Sequence, residues 1–105
     1  MERSELLQRV KAALRDAFGE RFQGLILYGS EARGEADPDS DIDFLVLLES
    51  QESYWDDVGM CIDAVYPLIL ENDGRPIHAK PIPVEEYEAQ AYAFYRNVNR
   101  EGIAL

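Results

Sequence analysis

The chain has 105 residues and a mass of 12.0 kDa, a length that predicts a single domain over residues 1–105. Its composition, 47% hydrophobic and 30% charged, is globular, yet 21 Asp and Glu against 10 Lys and Arg leave a formal charge of −11, which repels a phosphate backbone and disfavours nucleic-acid binding. One cysteine excludes an internal disulfide, no apolar run is long enough for a bilayer, and Met1-Glu2-Arg3-Ser4-Glu5 is not a secretory signal, so a cytoplasmic protein is expected.

The first predicted element is a helix over 4–18. Leu6, Leu7, Val10, Leu14, Ala17 and Phe18 make an apolar stripe, and Gly19 is a stop. Gly24-Leu25-Ile26-Leu27-Tyr28 is a continuous apolar run that predicts a short strand buried on both faces, ending at Gly29-Ser30. Glu31 to Ser40 is polar, with Asp37-Pro38-Asp39-Ser40 as a turn. Asp41 to Leu48 predicts a second strand. Ile42, Phe44, Val46 and Leu48 share one face, and Leu45 and Leu47 lie on the other, behind Asp41 and Asp43. Ser53 to Leu70 has helical spacing and ends at Asn72-Asp73-Gly74, with Cys61 in its apolar stripe as a core residue. Pro76, Pro81 and Pro83 make Arg75 to Val84 an edge strand or a short one. Glu85 to Arg100 predicts one aromatic-rich helix carrying Tyr87, Tyr92, Phe94 and Tyr95. The order helix, strand, strand, helix, strand, helix implies an α/β (α+β) domain with a small mixed sheet flanked by helices.

The chemistry sits between Leu27 and Asp43. Gly29 and Gly34 have P-loop spacing, but Glu35 and Ala36 stand where that motif needs Lys and Ser/Thr. The alternation Asp37, Asp39, Asp41, Asp43 suggests a calcium loop, but neither register supplies the required Gly or the final Glu. A third reading joins Gly29-Ser30 to Asp41-x-Asp43. Two residues apart on a strand, the carboxylates point to one face at a Cα separation of roughly 6.6 Å. Such a pair repels unless a cation lies between, and hard oxygen donors suit Mg²⁺. Gly29 lets the backbone approach a phosphate closely, and the Ser30 hydroxyl can donate to it. From Glu31 to Asp43 there are six acids and one Arg, a net −5 of the total −11, as a cation site needs.

A Gly-Ser pair, ten residues and Asp-x-Asp is the pattern of the DNA polymerase beta-like nucleotidyltransferase superfamily. The segment Tyr28-Gly29-Ser30-x-Ala32-Arg33-Gly34 with Ser40-Asp41-Ile42-Asp43 resembles its minimal nucleotidyltransferase (MNT) branch, as does the ending Tyr95 to Gly102. The resemblance implies the polymerase beta-like fold and transfer of a nucleoside monophosphate, AMP from ATP, to a hydroxyl. Gly29 and Ser30 would hold the β/γ-phosphates, and Asp41 and Asp43 would be the catalytic carboxylates that ligate Mg²⁺. Many MNT proteins neutralise a HEPN ribonuclease toxin. The resemblance therefore implies an antitoxin in a hetero-oligomer with a HEPN partner, which it modifies or, alternatively, inhibits by contact alone. The C-terminal helix is the expected partner surface.

One departure matters. Family members carry a third carboxylate on a later strand, and Arg75 to Val84 contains no Asp or Glu; Asp63, Asp73 and Glu85 only flank it. Other residues have plainer expectations. Asp37 and Asp39 are turn residues, and Arg33 touches phosphate or pairs with the local acids. His78 belongs to a strand or the surface, and Lys80 is a weaker candidate to reach a triphosphate.

Overall fold

The structure, a computed structural model, describes residues 1–105. Its elements run α1 (Arg3–Phe18), a 3₁₀ turn (Gly19–Arg21), β1 (Phe22–Tyr28), α2 (Ser30–Arg33), β2 (Ile42–Leu48) and α3 (Tyr54–Glu71). They continue with β3 (Ile77–Pro83), α4 (Val84–Glu88), α5 (Ala93–Glu101) and β4 (Ile103–Ala104). The four strands form one mixed sheet in the order β3-β2-β1-β4. β1 is antiparallel to β2 and β4, and β2 is parallel to β3, joined through α3. The fold is mixed α and β, as expected, and the proline-bearing strand lies at the sheet edge, where a missing N–H interrupts no ladder.

Strand alternation divides the core in two. Leu25, Leu27, Ile42, Phe44, Val46 and Leu48 face α1 and α3, meeting Leu6, Leu7, Val10, Leu14 and Phe18 from one helix and Cys61, Val65 and Leu68 from the other. Ile26, Leu45 and Ile82 face the opposite way, under Tyr87, Tyr95 and Val98. Burying a side chain of this size contributes about 1.5–3 kcal/mol, and both faces of β1 and β2 are used. That explains why β1 is a continuous apolar run. On the α3 side, buried Asp57 is held by Arg21 Nη2 at 2.7 Å, tying α3 to the turn before β1. Burial raises the Cys61 thiol to about 12, helped by the charge of Asp57, so Cys61 is an inert core group as predicted.

Two expectations are corrected. The last helix is not continuous over Glu85–Arg100. It breaks between Glu88 and Ala93, where Gln90 takes φ +52 and its side-chain Nε2 donates to the Tyr87 carbonyl at 2.7 Å. The break brings the Tyr87 and Tyr95 rings within 5.8 Å, where a continuous helix would hold them about 12 Å apart along its axis. The second correction is a strand that periodicity gave no sign of: Ile103 and Ala104 pair with Leu27 and Ile26 as β4. No helix of the protein is long and apolar enough to cross a membrane.

Candidate active site

β1 ends at Tyr28 and the chain turns sharply at Gly29, with φ 77° and ψ −158°, into the four-residue α2 opened by Ser30. That conformation is open essentially to glycine alone. The turn is forced against β2. A Cβ at residue 29 would stand 2.7 Å from Asp43 Oδ2, nearer than real side chains approach. Asp43 lies opposite Tyr28 in the antiparallel register, so Gly29 and Asp43 meet because β1 and β2 are paired. Asp41 falls one residue before β2, a step short of the predicted strand start, and shares the side of Asp43.

The loop between corner and carboxylates is built from its own side chains. Asp37 Oδ1 accepts from the Asp39 amide at 2.9 Å and the Ser40 hydroxyl at 3.1 Å, which makes Asp37 a turn residue as expected. Glu31 anchors the other end. It accepts from Arg75 Nη2 at 2.7 Å and Arg3 Nε at 2.9 Å, while Arg75 Nε also donates to the Ser40 carbonyl at 2.7 Å. Burial pushes the Glu31 carboxyl up, but its hydrogen bonds to Arg75 and Arg3 outweigh that and hold it below the usual range. Arg33 pairs with Glu35 at 3.0 Å and Glu101 at 3.6 Å, the local-acid alternative of its two expected roles.

The Asp43 carboxyl is raised, chiefly by desolvation and further by the like charge of Asp41, with His78 pulling the other way. The Tyr28 phenol is raised by burial and by Asp43. Two carboxylates side by side at the mouth of a glycine corner, one of them partly desolvated, are a donor set suited to a hard divalent cation. No three His, Cys, Asp or Glu side chains already close into a metal cage.

β3 supplies the residue that sequence reasoning undervalued. Its parallel register sets His78 beside Asp43, and Nδ1 lies 3.6 Å from Asp41 Oδ2 and 3.7 Å from Asp43 Oδ1, beyond hydrogen-bond length. Imidazole therefore stands at the position next to the carboxylate pair on the strand that lacks acids. Asp63 lies on α3, across the sheet from the pair, and Asp73 and Glu85 remain outside β3. Lys80 does not point to the corner unengaged; its Nζ sits 5.2 Å from the centre of the Phe94 ring, which also meets Tyr28 edge-on at 5.5 Å. α5 thus roofs the site, and Phe94, Asn97 and Glu101 line a cleft with Tyr28, Gly29 and Arg33.

This constellation can be set against known proteins. The nucleotidyltransferase domain family matches residues 7–99, from α1 through most of α5. The chain belongs to the nucleotidyltransferase domain family. No curated protein sequence matches it. Among solved structures, the nucleotidyltransferase chain is similar in fold to the crystal structure of a toxin–antitoxin with AMP-PNP, with a TM-score of 0.63 and 19% identity over 92% of this chain and 69% of that one. The family match spans every candidate nucleotidyltransferase residue, Gly29, Ser30, Asp41 and Asp43, and His78 as well.

Proposed function

We propose that this cytoplasmic protein, a single domain over residues 1–105, is an antitoxin that transfers AMP from ATP to a hydroxyl of a HEPN ribonuclease toxin. The hydroxyl oxygen attacks the α-phosphorus, the bond from that phosphorus to the α–β bridging oxygen breaks, pyrophosphate leaves, and the hydroxyl proton passes to water. Gly29 and Ser30 receive the β/γ-phosphates, and the bare Gly29 backbone gives the phosphate tail room that a Cβ would fill. Asp41 and Asp43 hold Mg²⁺, which when bound supplies positive charge against the phosphate oxygens. The α5 roof, with Tyr92 and Phe94 exposed, is the toxin-facing surface.

The observation that carries this reading is the closure of the Gly29 corner onto Asp43, a geometry only glycine permits. The family match and the AMP-PNP held by the structurally similar toxin–antitoxin support it. The absence of any acid on β3 favours a second reading, in which the protein neutralises its toxin by contact with little or no transfer. Incubation with labelled ATP, Mg²⁺ and the toxin separates the two. Label on the toxin, abolished by Asp41→Asn with Asp43→Asn, supports transfer. Neutralisation without label, intact in the double variant, overturns it in favour of contact.

A further inference from the structure

The buried side of α3 is used by the core, and its opposite side is left apolar. Trp55, Ile62, Tyr66 and Leu70 are 77%, 57%, 56% and 62% exposed, far more than a helix of a self-contained surface leaves open. With Gly59 they lie in an arc of about 80° at 100° per residue, a continuous stripe along the helix. Gly59 is the one position in it without a side chain, and the space above it is open.

The spacing of the stripe is symmetric. A twofold axis crossing α3 between Ile62 and Asp63 carries Trp55 onto Leu70 and Gly59 onto Tyr66. In an antiparallel pair of α3 helices, each Tyr66 ring enters the gap left by the partner's Gly59, and each Trp55 packs on the partner's Leu70. This is what an isologous contact requires: one patch complementary to itself. We propose that α3 is the self-association surface of this protein and that a second copy of the chain covers the stripe. The same operator sets Asp56 against Ile69 and Glu71 against Tyr54, while the two exposed Asp63 side chains flank the axis and repel each other at the rim.

The exposed area sets the size class of the contact. Side chains of this size present roughly 150–250 Å² when aromatic and somewhat less when aliphatic, so the four expose on the order of 500 Å² per chain. Pairing then buries about 1,000 Å² in total, at the weak end of specific interfaces. Two chains of charge −11 also repel. The dimer is therefore weak and salt-assisted. Asp41, Asp43 and Gly29 lie across the sheet from α3, so both sites stay open in the dimer.

Sedimentation equilibrium of the full chain between 1 and 300 µM tests this independently of nucleotidyl transfer. The expected result is a monomer–dimer equilibrium that tightens between 0.05 and 0.5 M NaCl. Gly59→Gln fills the gap at a half-buried helical site whose Cβ position meets nothing within 4 Å and where leaving glycine does not cost helix stability; it weakens dimerisation at least tenfold without lowering Tm. Register is read by oxidation. Ile62→Cys links to itself, whereas Trp55→Cys links to Leu70→Cys in a mixture, because two copies of residue 55 are about 20 Å apart. A chain monomeric at 300 µM overturns the proposal. So does a dimer indifferent to Gly59→Gln, or a stripe covered only by a cationic partner whose binding weakens with salt.

Discussion

Replacing Gly29 with alanine separates backbone strain from the close approach to Asp43, because a second glycine provides the control. Gly29 sits at φ +77° with a Cβ position 2.7 Å from Asp43 Oδ2; Gly34 sits at φ +72° with nothing within 4 Å of its Cβ position. Gly34→Ala therefore meets only the left-handed penalty, about 1–2 kcal/mol. Gly29→Ala meets strain of about 1–3 kcal/mol, since φ 77° with ψ −158° is nearly closed to other residues, and it must also displace the Asp43 carboxylate. At about 4–8 °C per kcal/mol for a domain of this size, Gly34→Ala lowers Tm by roughly 5–15 °C and Gly29→Ala by roughly 5–20 °C. The two are close in stability and far apart in function. The displaced carboxylate loses its place beside the corner, so Gly29→Ala weakens Mg²⁺-ATP binding at least tenfold, whereas Gly34→Ala leaves it within about twofold. Thermal melts by circular dichroism and calorimetric titration with Mg²⁺ and a non-hydrolysable ATP analogue measure both. Equal nucleotide affinity in the two variants would refute the assignment of the corner.

Glu31→Gln removes the charge shared by Arg3 and Arg75 and lowers stability at pH 7 by about 1–2 kcal/mol. Because the folded carboxyl lies below its ordinary range, that stabilisation is complete above the unfolded value near 4.3 and fades as pH falls through the folded value. Wild type and Glu31→Gln should therefore converge in urea midpoint below about pH 3, and a pH-independent gap counts against the ion pair. His78→Asp places a third carboxylate beside Asp41 and Asp43. It lowers the metal-free protein's stability by about 1 kcal/mol or less, given the exposure of residue 78, and raises Mg²⁺ affinity about tenfold. A variant whose melting ignores both the substitution and Mg²⁺ contradicts the position given to β3.

Much of this site was legible because its parts lie within fifteen residues and each is dictated locally. Gly29 follows an apolar run, Asp37 writes its own turn, and Asp41 and Asp43 share a side through the two-residue period of β2. The same period assigned Phe44 to the α1 and α3 side and Leu45 to the other. His78 was not legible. Its place beside Asp43 depends on the parallel register of β3, which is set through eighteen residues of α3 and by no turn that a sequence displays. The break after Glu88 escaped notice for a related reason. No Gly or Pro interrupts Glu85–Arg100, and the break shows only in the tertiary packing, which brings the Tyr87 and Tyr95 rings together. Ile103 and Ala104 are too short a strand for any period to register, and they pair only because Gly102 packs where a Cβ would lie 2.6 Å from the Val98 carbonyl.

The acidic concentration around Asp41 and Asp43 makes sense only together with its cationic frame. Arg3 and Arg75 are spent on Glu31, Arg33 on Glu35 and Glu101, and Lys80 on the Phe94 ring. Each basic group near the loop is already committed to shaping it. That leaves the His78 imidazole as the nitrogen side chain beside the carboxylate pair, with both contacts longer than a hydrogen bond. A loop meant only to be stable would have turned one of these arginines toward Asp43, whose carboxyl is instead raised by burial and by Asp41. A cation that binds the folded protein and not the unfolded chain would stabilise it by mass action. The arginines around the loop thus keep it in shape and leave the Asp43 carboxyl without an arginine partner.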